Sequence, residues 1–141
     1  MIDGLLVTPL KRIEHPKGDI YHAMKSSAPG YVGFGEAYFS TIKKGLIKGW
    51  RRHKRLTLNI VVPIGSIRFV IHDARAINPS EHTFYEITIS RDNYVRLTVP
   101  PGVWMAFCGL EDWNILLNII AEEHDPEESD NSALDDIEYD W

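Results

Sequence analysis

The chain has 141 residues, 44% hydrophobic and 25% charged, a size and balance that fit one globular domain with a single sizeable core. No apolar run reaches the roughly 18 residues of a membrane helix, residues 1–18 carry no basic region ahead of their short apolar stretch and so do not read as a signal peptide, and the single cysteine, Cys108, excludes an internal disulfide framework and fits a reducing cytoplasm. The formal net charge of −5 and the lack of any recognition motif argue against a nucleic-acid partner.

In chain order, residues 5–10 read as a short strand, 15–19 (HPKGD) as a turn and 19–24 as a second short strand. Residues 26–35 hold three Gly and one Pro and read as a loop, pinned by Tyr31 and Phe34. Residues 36–41 (EAYFST) form a strand with two aromatics. Residues 56–63 are an apolar run broken by Thr57 and Asn59, after which Ile67, Phe69 and Ile71 alternate with Ser66, Arg68 and His72. That period of two marks a strand with one buried face, and the Pro63–Ser66 break suits a tight hairpin between the two runs.

Residues 76–82 turn the chain, and Tyr85, Ile87 and Ile89 alternate as another strand. Residues 94–99 form a strand that stops at Pro100-Pro101-Gly102, and 103–108 start again with Cys108 as a small buried hydrophobe. Residues 111–123 are ambiguous. Leu110, Trp113, Leu116, Leu117 and Ile120 match a helical stripe, yet the strands on either side require a closing partner, and a strand is the expectation. Strands at 8–12 residue spacing with turn signals between them predict an all-β protein, an antiparallel sandwich or jelly-roll barrel.

Charge divides the chain. All fifteen Lys and Arg precede residue 97, and ten of the twenty acidic residues lie from Glu122 onward. An acidic segment such as 122–141 is ordinarily solvated, but this one holds Ile137, Tyr139 and Trp141, which predicts that part of it docks on a single domain spanning 1–141. Its charge complements Lys43, Lys44, Lys48, Arg51, Arg52, Lys54 and Arg55. That basic run reads either as a solvated strand face or as a phosphate-binding mouth, where Arg forks and Lys point charges suit a diphosphate.

Residues 45–65 (GLIKGWRRHKRLTLNIVVPIG) open and close on Gly, and their spacing resembles the first motif of the cupin family, G-x5-H-x-H-x4-E-x6-G. Gly45, Arg51, His53, Leu58 and Gly65 occupy its fixed positions, and the His of the second cupin motif falls on Met105. Only His53 keeps a ligand type, and one imidazole does not make a transition-metal site, so neither a metal nor a cofactor is expected.

Three further strings resemble the dTDP-4-dehydrorhamnose 3,5-epimerase family and its sugar-nucleotide isomerase relatives, from about residue 2 to the last residue. They are Ser40 with Lys43 to Arg51 (KKGLIKGWR), Asp73 to Ser80 (DARAINPS) and Pro100 to Phe107 (PPGVWMAF). Gly49-Trp50, His53-Lys54, Pro100 to Trp104 and Tyr139-Asp140-Trp141 place the chain nearest a branch with G-W-H-x-H-K, P-P-G-V-W and Tyr-Asp-Trp strings. The resemblance implies a cupin-type antiparallel jelly-roll barrel, a homodimer with exchanged N-terminal strands, and an epimerase or isomerase acting on a nucleotide-linked 4-keto-deoxysugar.

That reaction removes a proton beside a ketone and returns one, so it needs a base, donors for the enolate oxygen and an acid. The family's base falls on Arg51, a side chain that stays protonated. Its Tyr acid falls on Leu117, with no Tyr between Tyr94 and Tyr139, and its base-orienting Asp has no counterpart. In some ketoisomerase relatives the base is the second His of the pair. Residues 51 and 53 share a strand face, so His53 is the candidate base. The resemblance implies Lys48, Trp50, Arg51, Asn59, Arg68, Trp104 and Asn118 as substrate-binding residues. The alternative is a non-catalytic cupin that binds a sugar nucleotide or another anion in the same mouth.

Overall fold

The alternating apolar positions resolve into two facing antiparallel sheets in the computed structural model, which describes residues 2–141. The strands are β1 (Leu6–Pro9), β2 (Arg12–Ile13), β3 (Ile20–Tyr21), β4 (Glu36–Thr41), β5 (Ile47–His53) and β6 (Leu58–Ile64), followed by β7 (Ser66–Asp73), β8 (Thr83–Ser90), β9 (Val95–Val99), β10 (Trp104–Gly109), β11 (Ile115–Ile120) and β12 (Ser129–Asn131). One sheet runs β1-β9-β6-β11-β4, the other β12-β5-β10-β7-β8, and β2 pairs β3 as a separate ribbon. This is the cupin-type jelly roll.

Ile60 and Val62 of β6, Ile67, Phe69 and Ile71 of β7, Ile89 of β8 and Leu97 of β9 fill the space between the sheets, each 1% exposed or less. Full burial of such a side chain is worth about 1.5–3 kcal/mol, so this interface dominates stability. Tyr85 and Ile87 pack inward on the same cluster.

The structure corrects two local expectations. β6 and β7 do not pair as a hairpin: β6 pairs β9 and β11, while β7 pairs β8 and β10. Gly65 instead turns the chain from one sheet to the other at φ +84, where a Cβ would collide with Trp113 and Asn114. The loop at 26–35 is held by polar groups, not by Tyr31 and Phe34, which are exposed. Asn59 Nδ2 donates to Gly30 O at 2.9 Å, and the buried Arg96 guanidinium donates to Ala23 O and Pro29 O. Residues 111–123 contain a strand, β11, which bonds β4 and β6 on its two edges. Its helical look arises because both faces of β11 carry apolar side chains, Leu116 and Ile120 inward, Leu117 and Ile119 outward.

The acidic segment runs along the outer edge and back of the second sheet. Ser129, Asp130 and Asn131 pair His53, Arg52 and Arg51, and Ser132 exchanges backbone hydrogen bonds with Trp50 at 2.9 and 3.0 Å. Ile137, Tyr139 and Trp141 then cover Trp50, Val70 and Ala106. Arg52–Asp130 and Arg55–Glu122 are close but exposed ion pairs, worth about 0–1 kcal/mol each. The strand ladder and the apolar contacts hold the segment more firmly.

Candidate functional site

Between the sheets lies an open cavity of about 560 Å³. β4, β6 and β11 of the first sheet contribute Tyr38, Ser40, Leu58, Ile60, Leu116 and Asn118. The second sheet contributes Lys48, Arg51 and His53 of β5, Met105 and Phe107 of β10, and Asn131 of β12. No carboxylate is among the lining residues, while Lys48 and Arg51 are cationic. The cavity therefore suits an anion.

Lys48 and Arg51 face the same cavity although an odd number of residues apart, because β5 bulges between them. Met105 pairs Arg51 and Phe107 pairs Lys48, so three steps on β5 oppose two on β10. The bulge passes through Gly49 at φ +153, where a Cβ would collide with Ala106. Lys48 Nζ donates to Thr41 O at 2.6 Å and to Ser40 Oγ at 3.3 Å, tying β5 to the facing sheet. Arg51 Nε donates to Asn131 Oδ1 at 3.1 Å, leaving the two terminal nitrogens of its fork for a ligand.

His53 meets a group that sequence reasoning missed. Nδ1 is hydrogen-bonded to Oε1 of Glu128, whose side chain is 1% exposed. Glu128 closes a 3-10 turn, Pro126–Glu128, started by Asp125 accepting from the Glu127 N–H. Glu128 Oε2 accepts the backbone N–H groups of Arg55 and Leu56, both at 3.0 Å. Burial pushes the Glu128 carboxyl up, but the Arg55 N–H, His53 and the Leu56 N–H together hold it below the ordinary Glu range. An ionised Glu128 accepts only, so Nδ1 carries the imidazole proton and Nε2 keeps a free lone pair. That is the tautomer a general base requires.

Among the sequence-predicted site residues, His53, Lys48, Arg51 and Asn118 meet in the cavity. Trp50 borders it, but its indole is 1% exposed, packed toward Trp141 on the outer face with Nε1 donating to Leu134 O. The other three lie outside. Leu58, Ile60 and Val62 face inward, so Asn59 faces out and holds the 26–35 loop. Ile67, Phe69 and Ile71 face inward, so Arg68 faces out and donates to Trp141 O at 2.8 Å. Met105 and Phe107 face inward, so Trp104 faces out and stacks against the Arg52 guanidinium, 4.5 Å from the ring centre. Strand alternation was the available signal for all three.

Tyr38, absent from the sequence-based candidates, also enters the cavity. β4 pairs β11 in a register that sets Tyr38 beside Asn118, and Asn118 Nδ2 donates to the phenol oxygen at 2.9 Å. The cupin metal positions hold Arg51, Leu58 and Met105 with His53, and among the described residues no three His, Cys, Asp or Glu converge. This donor set does not fit a metal ion.

No protein-family profile matches the chain, and no curated protein matches it. Solved structures do. A dTDP sugar isomerase from Desulfovibrio desulfuricans G20 is 31% identical with a TM-score of 0.89, over 95% of this chain and 87% of that one. A dTDP-4-dehydrorhamnose 3,5-epimerase from Sulfolobus tokodaii shares the fold at 23% identity and a TM-score of 0.82, over 99% and 82% of the two chains. So does a dTDP-6-deoxy-D-glucose-3,5-epimerase from Legionella pneumophila Philadelphia 1, in complex with dTDP-4-keto-L-rhamnose, at 20% identity and a TM-score of 0.80, over 92% and 73%.

Proposed function

The chain belongs to the family of the dTDP sugar isomerase it matches at 31% identity, and from that premise we propose that it is a metal-free epimerase or isomerase of a nucleotide-linked 4-keto-deoxysugar, with His53 as its base. The observation that carries this reading is the His53–Glu128 pair at the cavity wall. Glu128 orients the ring, selects the tautomer with a basic Nε2 and stabilises the imidazolium formed when Nε2 takes a proton. It supplies, from the acidic segment, the orienting carboxylate that the sequence reading did not find.

Lys48 and Arg51 then have two tasks. Their charges attract the diphosphate, and whichever lies beside the sugar ketone stabilises the enolate oxygen. A positioned general base contributes about 10²–10⁴-fold, enough for turnover from a proton already acidified by the neighbouring ketone. Arg51 occupies the position of the family's usual base, which supports the competing reading of a cupin that binds a nucleotide sugar without turning it over.

Incubation with dTDP-4-keto-6-deoxyglucose in D₂O separates the two. Deuterium in the sugar beside the ketone supports catalysis. Saturable binding without exchange selects the binding protein, and failure to bind defeats both.

A further inference from the structure

We infer that Asn131 sets the anion specificity of this cavity, as the residue that aims Arg51 without neutralising it; the inference rests on the nucleotide-sugar reading above. Arg51 and Asn131 face each other in register across the β5–β12 ladder, and both line the cavity. Arg51 Nε donates to Asn131 Oδ1 at 3.1 Å. A guanidinium has donors only, so the contact also fixes which way the amide points. With Nε held, the plane of the fork is set, and its two terminal nitrogens can meet two oxygens of one phosphate together.

The charge of that acceptor matters as much as its position. β12 belongs to the segment that carries ten of the twenty acidic residues, yet no carboxylate lines the cavity. Asp130 pairs Arg52 at 3.0 Å and Lys54 at 3.8 Å. Glu122 and Asp125 engage Arg55. Glu128 is buried against His53, and Asp136 accepts from Ser132 Oγ and the Ala133 N–H. Where the segment meets the cationic Arg51 it presents a neutral amide instead.

An Asp at position 131 would form with Arg51 the charged pair that a phosphate should form, and would set a negative charge beside the diphosphate. Asn131 holds the fork in place and leaves its charge for the ligand. Both side chains are exposed at the mouth of the cavity, so an exchange at 131 leaves the core between the sheets untouched.

The test is calorimetric titration with dTDP, which needs binding but no turnover. It compares wild type, Asn131→Asp, Asn131→Ala, Arg51→Ala and the double variant Arg51→Ala/Asn131→Ala, with urea unfolding to show that each is folded. Asn131→Asp is close to isosteric and should weaken binding about tenfold or more at low salt. That deficit should shrink in 1 M salt, where charges are screened beyond about 3 Å. Asn131→Ala should cost about three- to tenfold, and nothing further in the Arg51→Ala background, because Asn131 acts through Arg51. Binding by Asn131→Asp within about twofold of wild type would overturn the inference. So would a deficit in that variant that salt does not change, or a loss from Asn131→Ala that persists in full without Arg51. Each of these outcomes leaves the nucleotide-sugar reading standing. A wild-type protein that does not bind dTDP would overturn that reading itself, and this inference with it.

Discussion

Glu128→Gln separates the chemistry of the His53–Glu128 pair from its structural role. Glu128→Ala does not. It would leave the Arg55 N–H, the Leu56 N–H and His53 Nδ1–H without an acceptor in a buried turn. Breaking a buried, hydrogen-bonded pair costs about 3–5 kcal/mol, a large share of the 5–15 kcal/mol that holds a typical domain. The Gln variant can keep its carbonyl oxygen against the two backbone N–H groups. Its amide N–H₂ then faces His53 Nδ1, which must become an acceptor, and the ring proton moves to Nε2. The nitrogen that should take a proton from the sugar now donates one.

Three charge-assisted bonds become neutral, while a buried charge no longer needs stabilising, so the net loss of stability should be about 1–2 kcal/mol. Exchange should fall by about 10²–10⁴-fold, the worth of a positioned base. An Asp-to-Asn change beside the catalytic His of serine proteases shows the same wrong-tautomer effect, at about 10⁴. Urea unfolding gives the stability, ¹⁵N imidazole spectra give the tautomer, and deuterium incorporation gives the rate. Exchange within twofold of wild type in a folded Glu128→Gln protein with the tautomer reversed would refute His53 as the base.

Three other outcomes follow. Because the fold lowers the Glu128 pKa, its contribution to stability is complete above the unfolded Glu value, about 4.3, and is lost as pH falls through the lower folded value. Stability of the wild type should therefore fall more steeply below about pH 4.3 than that of Glu128→Gln, in urea titrations across that window. Arg51→Ala should weaken nucleotide-sugar binding by about 1.5–3 kcal/mol if the fork holds the diphosphate or the enolate, whereas calorimetry showing a change within about 0.5 kcal/mol would make Arg51 a solvated surface cation. We also propose a two-fold homodimer through the outer face of β4 and β11, where Phe39 is 70% exposed beside its half-buried partner Leu117. Sedimentation equilibrium should give twice the monomer mass for wild type and the monomer mass for Phe39→Glu; a monomeric wild type defeats the pairing.

What the sequence disclosed about this protein, and what it withheld, both follow from the range of the forces involved. The sheets were legible because a strand carries its pattern locally. Ile67, Phe69 and Ile71 need no knowledge of their partners to declare one buried face. The same rule correctly gave Arg51 and His53 one face, and it would have sent Asn59, Arg68 and Trp104 to the other side of the barrel wall had it been applied to them. It fails between Lys48 and Arg51, where the bulge at Gly49 restores an inward direction that simple alternation denies. Glu128 and Tyr38 were illegible for a different reason. Each acts through a partner far along the chain, 75 residues from His53 in one case and 80 from Asn118 in the other. Glu128 also sits among ten acidic residues whose composition reads as a solvated segment. Composition averages over side chains, whereas docking here depends on a few: Ile137, Tyr139 and Trp141 against Trp50, and a three-residue strand along a basic edge. Those contacts turn the most disorder-like stretch of the chain into the wall that holds its candidate base.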